Sequence, residues 1–372
     1  MKILTVFGTR PEAIKMAPVI KEMEKYPDEI QSVVCVTAQH REVLDQVLDI
    51  FDIQPDHDLN VMLPDQTLSQ LTANILTRLE QVVAQERPDW MLVQGDTTTV
   101  MVASLVAYYH RVKIGHVEAG LRTGDKWQPY PEEINRRVTD ILADLYFAPT
   151  EQSRENLLRE GVSSDSIVVT GNTVIDALLM TVHRLRHEEG TRRYWSRDGQ
   201  RLVLVTAHRR ENFGQPLARI CHALAEIAAR YPAQIQLVYP VHPNPNVWGP
   251  VHEMLAGIPN ITLTEPLAYY DFVRLMSEAD LILTDSGGLQ EEAPSLGVPV
   301  LVLREVTERP EGVAAGVVRL VGTDERNIVG EVVTLLEDER VYQHMARGAN
   351  PYGDGRASER IVNAVRATSL RV

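Results

Sequence analysis

Cysteine is almost missing from this chain: Cys35 and Cys221 are the only two in 372 residues. They lie far apart in sequence, match no disulfide or metal spacing, and fit a reducing cytosol. No stretch approaches the ~20 consecutive apolar residues of a membrane span, and the apolar run in MKILTVFGTRPEA is too short for a signal peptide. A soluble cytoplasmic protein is expected. The sequence has no Walker-type lysine motif and no G-x-G-x-x-G, which sets aside the usual ATPase and dinucleotide signatures. None of its 11 histidines falls into H-E-x-x-H or another metal spacing, so neither a metal nor a cofactor is expected. Cations are in deficit too, with 37 Lys and Arg against 51 Asp and Glu and a net charge of -14. That balance disfavours nucleic acid and anionic membranes as partners. An anionic substrate must then be held by a local basic cluster.

What is present is an alternation. The first half carries the short apolar runs KILTVFG, SVVCVTA, WMLVQGD, KIGHVEAG, LYFAPT and SIVVTGN, separated by amphipathic stretches such as PEAIKMAPVIKEMEKY. The second half repeats the plan with RLVLVTAHR, IQLVYPVHP, ITLTEP, LILTDSGG, VPVLVLR and VVRLVGT. Short apolar strands alternating with helices indicate parallel sheets buried on both faces. Two such sets, in a chain too long for one ordinary core, indicate an α/β protein of two Rossmann-like doubly wound domains. The charge-rich stretch at residues 183–201 is expected at or just after the hinge.

Ligands of open parallel sheets bind beyond the carboxyl ends of the strands. Polar loops alone explain the Thr, Gly and Asn residues at those ends. They explain less well why Arg, His, Asp and Glu gather there in both halves. A cleft faced by both domains is the expected active site.

The individual constellations have defined chemistry. GTRPEAIKMAP opens a helix with Pro11 at its first position, Arg10 before it and Lys15 one turn beyond. Both cations suit an anion at the helix start; the alternative is an ordinary surface around an N-cap. Asp96 in QGDTTT and Glu118 in HVEAGLRTGD each follow a strand, and Glu132 and Glu133 begin a helix in PYPEEINRR. Converging carboxylates suit proton transfer on a sugar. For Glu132 and Glu133, complementing the helix dipole at ~0.3–1 kcal/mol each is the alternative. TAHRREN gathers His208, which titrates near neutrality, with Arg209 and Arg210, whose forked donors suit phosphate. His242 in YPVHPNP is a candidate of the same kind. In TDSGGLQEE, Gly287 and Gly288 bare the backbone where a strand turns into a helix, a place suited to an anion. The same first turn is read as carrying Glu291 and Glu292. VTERPEG adds Arg309.

Together these stretches resemble the non-hydrolysing UDP-N-acetylglucosamine 2-epimerase family. The matching segments are FGTRPEAIKMAP, VTAQHR, GDTTT, GHVEAGLRTGD, PEEINRR, TGNTVIDA, TAHRREN, LTDSGGLQEEAPSLGVPVLVLRE, TERPEG and NPYGDGRAS, in family order from residue 7 to residue 358. The resemblance implies a GT-B type fold with domains at 1–170 plus 355–372 and at 171–354, the last helix crossing back to the first. It implies interconversion of UDP-GlcNAc and UDP-ManNAc by a homodimer, without a cofactor. Nucleotide contacts are implied for Arg10, Phe272, Ser286, Gly287, Gly288, Glu292 and Arg309, with Lys15 and His208 near the diphosphate and Arg209 and His242 also on the substrate. Asp96, Glu118 and Glu132 would surround the sugar and, with His208, form the catalytic set. Glu292 would meet the ribose, leaving Glu291 a structural, dipole-facing residue.

The implied mechanism eliminates UDP across C1–C2 to a 2-acetamidoglucal, then adds it back with protonation on the opposite face of C2. A carboxylate base, an acid on the other face and cations for the departing diphosphate are required; which carboxylate is base and which is acid stays open. A modified UDP-GlcNAc uronate as substrate, or hydrolysis to ManNAc and UDP, are the alternatives. Some bacterial members bind a second UDP-GlcNAc as activator. Gln39 and Arg209 match that pattern while Glu42 and Asp65 depart from it, so reduced or absent activation is expected.

Overall fold

The structure, a computed structural model, describes residues 1–37, 41–63, 65–189, 193–195 and 199–369. The first sheet comprises β1 (Lys2–Phe7), β2 (Gln31–Val36), β3 (His57–Asp58), β4 (Trp90–Gln94), β5 (Lys113–Val117), β6 (Leu145–Ala148) and β7 (Ile167–Val169). Its strands are parallel in the order β3-β2-β1-β4-β5-β6-β7. The second comprises β8 (Arg201–Thr206), β9 (Ile235–Pro240), β10 (Ile261–Thr264), β11 (Leu281–Thr284), β12 (Val300–Val302) and β13 (Val318–Leu320), parallel in the order β10-β9-β8-β11-β12-β13. Each of the twelve apolar runs contains one strand. The thirteenth, β3, is two residues long, too short to leave a period in the sequence.

The continuous apolar runs follow from burial on both faces. In the second sheet Val203, Val205, Leu237, Tyr239, Leu281 and Leu283 pack into one core, while Leu202, Leu204, Val238, Ile282, Val300 and Val302 pack into the other. Neighbouring strand residues point to opposite faces, and each buried aliphatic side chain contributes about 1.5–3 kcal/mol. These are two Rossmann-like doubly wound domains. In each sheet the strand order reverses at the middle, β1 against β4 and β8 against β11. Such switch points open a crevice beyond the carboxyl ends of the strands.

The chain divides into two compact units, Met1–Ala177 with Gly353–Val372, and Leu178–Tyr352. The first changeover stands at 177/178 and the second at 352/353. The first falls inside the helix Thr173–Glu189, whose sequence TVIDALLMTVHRLRHEE holds no Gly or Pro to stop it. The charge-rich stretch therefore begins as the last turns of that helix, where Arg184 pairs with Glu188 one turn on at 2.7 Å. The returning helix Ala357–Ser369 is held in the first unit by buried Asp176, which accepts from Ser358 N at 2.8 Å and Ser358 Oγ at 2.6 Å. Among the described residues no helix is long and apolar enough to cross a membrane.

Candidate active site

The tips of β1 and β4 are tied together by one carboxylate. Thr9 is the N-cap of the helix Arg10–Met23, and Glu12 completes a capping box. Buried Glu12 accepts from Gly8 N at 2.9 Å, Thr9 N at 2.7 Å and Thr97 Oγ at 2.6 Å. Burial raises its pKa and these bonds oppose the rise. Arg10 takes the first helical position and is exposed, so Pro11 stands second rather than first. Proline is tolerated there because that N–H has no intrahelical partner either.

One turn further on, Lys15 Nζ lies 2.7 Å from Glu118 Oε1 and 2.6 Å from Oε2. Glu118 also accepts from Gln94 Nε2 and, at 3.2 Å, from Asn172 Nδ2. It follows β5 with φ 66°, a left-handed conformation that costs a non-glycine residue roughly 1–2 kcal/mol. Asp96 follows β4, with Arg136 Nη2 3.2 Å from Oδ2 and Asn135 Nδ2 donating to its carbonyl at 3.0 Å. Desolvation raises the Asp96 pKa, the Arg136 charge opposes the rise, and Glu118 and Glu132 add to it. Glu132 is the first residue of the helix Glu132–Leu142 and partly exposed. Glu133 points elsewhere. Fully buried, it accepts from Thr123 N at 3.1 Å and lies 3.6 Å from Arg136 Nε.

Behind Asp96 sits a buried charged chain. His116 Nδ1 is 2.6 Å from Asp140 Oδ1 and its Nε2 is 2.7 Å from the Gly95 carbonyl. Both partners are acceptors, so both ring nitrogens carry protons. Although burial opposes charge, Asp140 and the carbonyl raise the His116 pKa. Arg122 continues the chain, donating to Asp140 at 2.7 Å and Glu160 at 2.6 Å.

In the second unit, the tips of β8 and β11 are joined in the same manner. Asp285 is buried and its Oδ2 accepts from His208 N at 2.7 Å, Arg209 N at 2.8 Å and Asn212 Nδ2 at 2.9 Å. His208 stacks on His242, ring centroids 5.4 Å apart. Burial, with His242 and Arg209, holds the His208 pKa below 6.5 against the pull of Asp285. Arg209 Nη2 stands 3.7 Å from where a Cβ on Gly287 would be, and on Gly288 a Cβ would lie 3.3 Å from Glu292 Oε1 and 3.9 Å from Ser286 Oγ. Ser286, both glycines, Arg209 and Glu292 therefore share one small region. Phe272 packs against the core beside it.

Two readings from the sequence are corrected here. The helix is Gly287–Glu292, so Glu291 and Glu292 lie at its end and not in its first turn. Glu291 does not face the helix dipole; it is buried and paired with Arg309 Nε. Gln39 and the side chain of Glu42 lie outside the described residues, and Asp65 is exposed. Among the described residues no group of three His, Cys, Asp or Glu side chains could hold a metal ion.

Sequence reasoning passed over Arg136, Asn172, Gln94, Glu12, His116 and Asp285 as site residues. Only Glu12 carried a local signal, the Thr-x-x-Glu capping box. The others become partners through chain segments distant in sequence.

The UDP-N-acetylglucosamine 2-epimerase family profile matches residues 21–366. The UDP-N-acetylglucosamine 2-epimerase of Salmonella typhimurium is 56% identical over 373 residues, covering 99% of this chain and 99% of that protein. The Bacillus subtilis protein of that name is 52% identical over 367 residues, covering 97% and 94%. The crystal structure of the Neisseria meningitidis UDP-GlcNAc 2-epimerase bound to UDP-GlcNAc superposes with a TM-score of 0.86 at 50% identity, covering both chains entirely. The carboxylates and cations at these strand tips thus stand in a chain that belongs to the UDP-N-acetylglucosamine 2-epimerase family.

Proposed function

We propose that this chain interconverts UDP-GlcNAc and UDP-ManNAc by elimination and re-addition of UDP. The single observation that carries the reading is the group formed by Glu118, Lys15, Asp96 and Arg136, carboxylates and cations held at the carboxyl ends of β4 and β5. The C2 hydrogen of the sugar is not next to a ring carbonyl, so simple deprotonation is too costly. Elimination removes that hydrogen to a carboxylate while the C1–O bond breaks, giving UDP and 2-acetamidoglucal. Re-addition reverses both steps with the proton delivered to the other face of C2.

Asp96, Glu118 and Glu132 supply the base and the acid. An environment that raises one carboxyl and ionises another is how such roles separate. Asp96 has the raised pKa, and Glu118 is held against a lysine. Gly287 and Gly288 bring backbone N–H groups and Ser286 its hydroxyl to the diphosphate, the Ser286 N–H being held by Thr284 Oγ1 at 2.9 Å, with Arg209, Arg309, Arg10 and Lys15 as counter-charges. Glu292 and Phe272 take the nucleoside end. His208, neutral by its surroundings, gains basicity beside a diphosphate and can then hold a proton against the leaving oxygen. His242 stacks on its ring and fixes the ring plane.

Near-complete coverage of relatives bearing the epimerase name favours UDP-GlcNAc itself over a uronate, and epimerisation over hydrolysis. We read the active form as a cytoplasmic homodimer; two buried, unpaired cysteines suit a reducing compartment. Incubation from either side tests the reaction: UDP-GlcNAc and UDP-ManNAc should reach one common mixture, and accumulation of free ManNAc with UDP would replace this reading by hydrolysis.

A further inference from the structure

We propose that Asp285 is a positioning residue for His208, fixing the proton on Nδ1 so that Nε2 is the nitrogen presented to substrate. The two residues follow adjacent strands, β11 and β8, which are also joined by Thr206 and Thr284 through their hydroxyls at 2.6 Å. Asp285 is fully buried, and its two oxygens have unequal surroundings. Oδ2 takes three N–H donors, from His208 N, Arg209 N and Asn212 Nδ2. Oδ1 is buried with no hydrogen-bond partner among the described residues and faces His208 Nδ1 across 3.6 Å.

Pinning the loop needs only Oδ2. A buried acceptor left without a donor is costly, so Oδ1 stands there for a contact that the loop anchor itself does not use. A carboxylate only accepts, and the ring atom that meets it must therefore be N–H. The present 3.6 Å is too long for a hydrogen bond. Contacts of this kind often tighten only once substrate is in place. The charged and titratable groups facing His208 are Asp285, His242 and Arg209. His242 is itself oriented, its Nδ1 accepting from Asn244 N at 3.1 Å, and it stacks on His208 at an interplanar angle of 16°. When Nε2 takes up a proton, Asp285 stabilises the resulting imidazolium.

This inference rests on the reading of His208 as a group acting on the substrate, and the experiment separates the two. Asp285→Asn keeps an oxygen for the three N–H donors and turns an NH2 toward the ring. Asp285→Asn should lower kcat by roughly 10²-fold, yet by less than about twofold when added to His208→Gln. An equal loss in both backgrounds would make Asp285 a loop anchor and overturn the inference. If His208→Gln alone left kcat unchanged, the reading of His208 would fail first. Should Asp285→Asn not fold, the wild-type enzyme decides the matter. Long-range ¹⁵N–¹H spectra, with His208 assigned by its absence in His208→Gln, should show the Nδ1–H tautomer; the Nε2–H tautomer refutes the inference.

Discussion

Lys15 and Glu118 meet at both carboxylate oxygens, at 2.7 and 2.6 Å, although Glu118 must adopt φ 66° to be there. A strained backbone that aims a charge is characteristic of a functional position. Glu118→Ala and Glu118→Gly remove the same charge, so both should lose activity by roughly 10²-fold or more. They should differ in stability, with the glycine variant about 1 kcal/mol the more stable because glycine adopts this conformation without steric cost. Equal denaturation midpoints for the two would show that the left-handed turn stores no strain.

Asp96 and Arg136, 3.2 Å apart, give the proposed chemistry a pH dependence that can be tested. The Asp96 pKa is raised above 3.8, chiefly by desolvation, and Arg136 restrains it. The carboxyl that is acid in one direction of a reversible reaction is base in the other, so in the direction that needs Asp96 ionised kcat/KM has an acid limb above the ordinary aspartate range. Arg136→Met removes the restraint and should move that limb to higher pH. A limb that stays in place, or moves down, excludes Asp96 as its source.

The His116–Asp140 pair gives the fold a pH window. His116 is raised above 6.5, so its contribution is complete below 6.5 and lost as pH rises through the folded value. Asp140 is lowered below 3.8: burial opposes this, but His116 and Arg122 outweigh it. Its contribution is present above 3.8 and lost as pH falls through the folded value. Asp140→Ala should cost about 3–5 kcal/mol at neutral pH, and less under acid, where the wild type has also lost its carboxylate. A urea-unfolding difference independent of pH contradicts this.

How much of this was legible in the sequence depends on range. The twelve strands longer than two residues were readable because burial on both faces leaves continuous apolar runs such as RLVLVT. Asp96 and Glu118 stood out as charges just past those runs. Their partners did not, since Asn172 reaches Glu118 from 54 residues away, and only the sheet order brings β7 and β5 near one another. Glu291 was misread because sequence does not show where a helix begins. With Gly287 as first residue, its side chain turns to Arg309.

Glu291 also provides a binding test. If Arg309 contacts the nucleotide, Glu291 orients it, and Glu291→Gln should raise KM for UDP-GlcNAc by roughly tenfold while kcat changes by less than about twofold. Calorimetric titration with UDP should show the same loss. A fall in kcat at constant KM would place the pair in the chemistry instead of in binding.

The central claim is that the hydrogen on C2 leaves and returns. Proton NMR of UDP-GlcNAc with the purified protein in deuterated buffer follows that hydrogen directly. The account predicts that its signal fades in the recovered UDP-GlcNAc while UDP-ManNAc appears carrying deuterium at C2. Tight binding with the C2 hydrogen fully retained would contradict it.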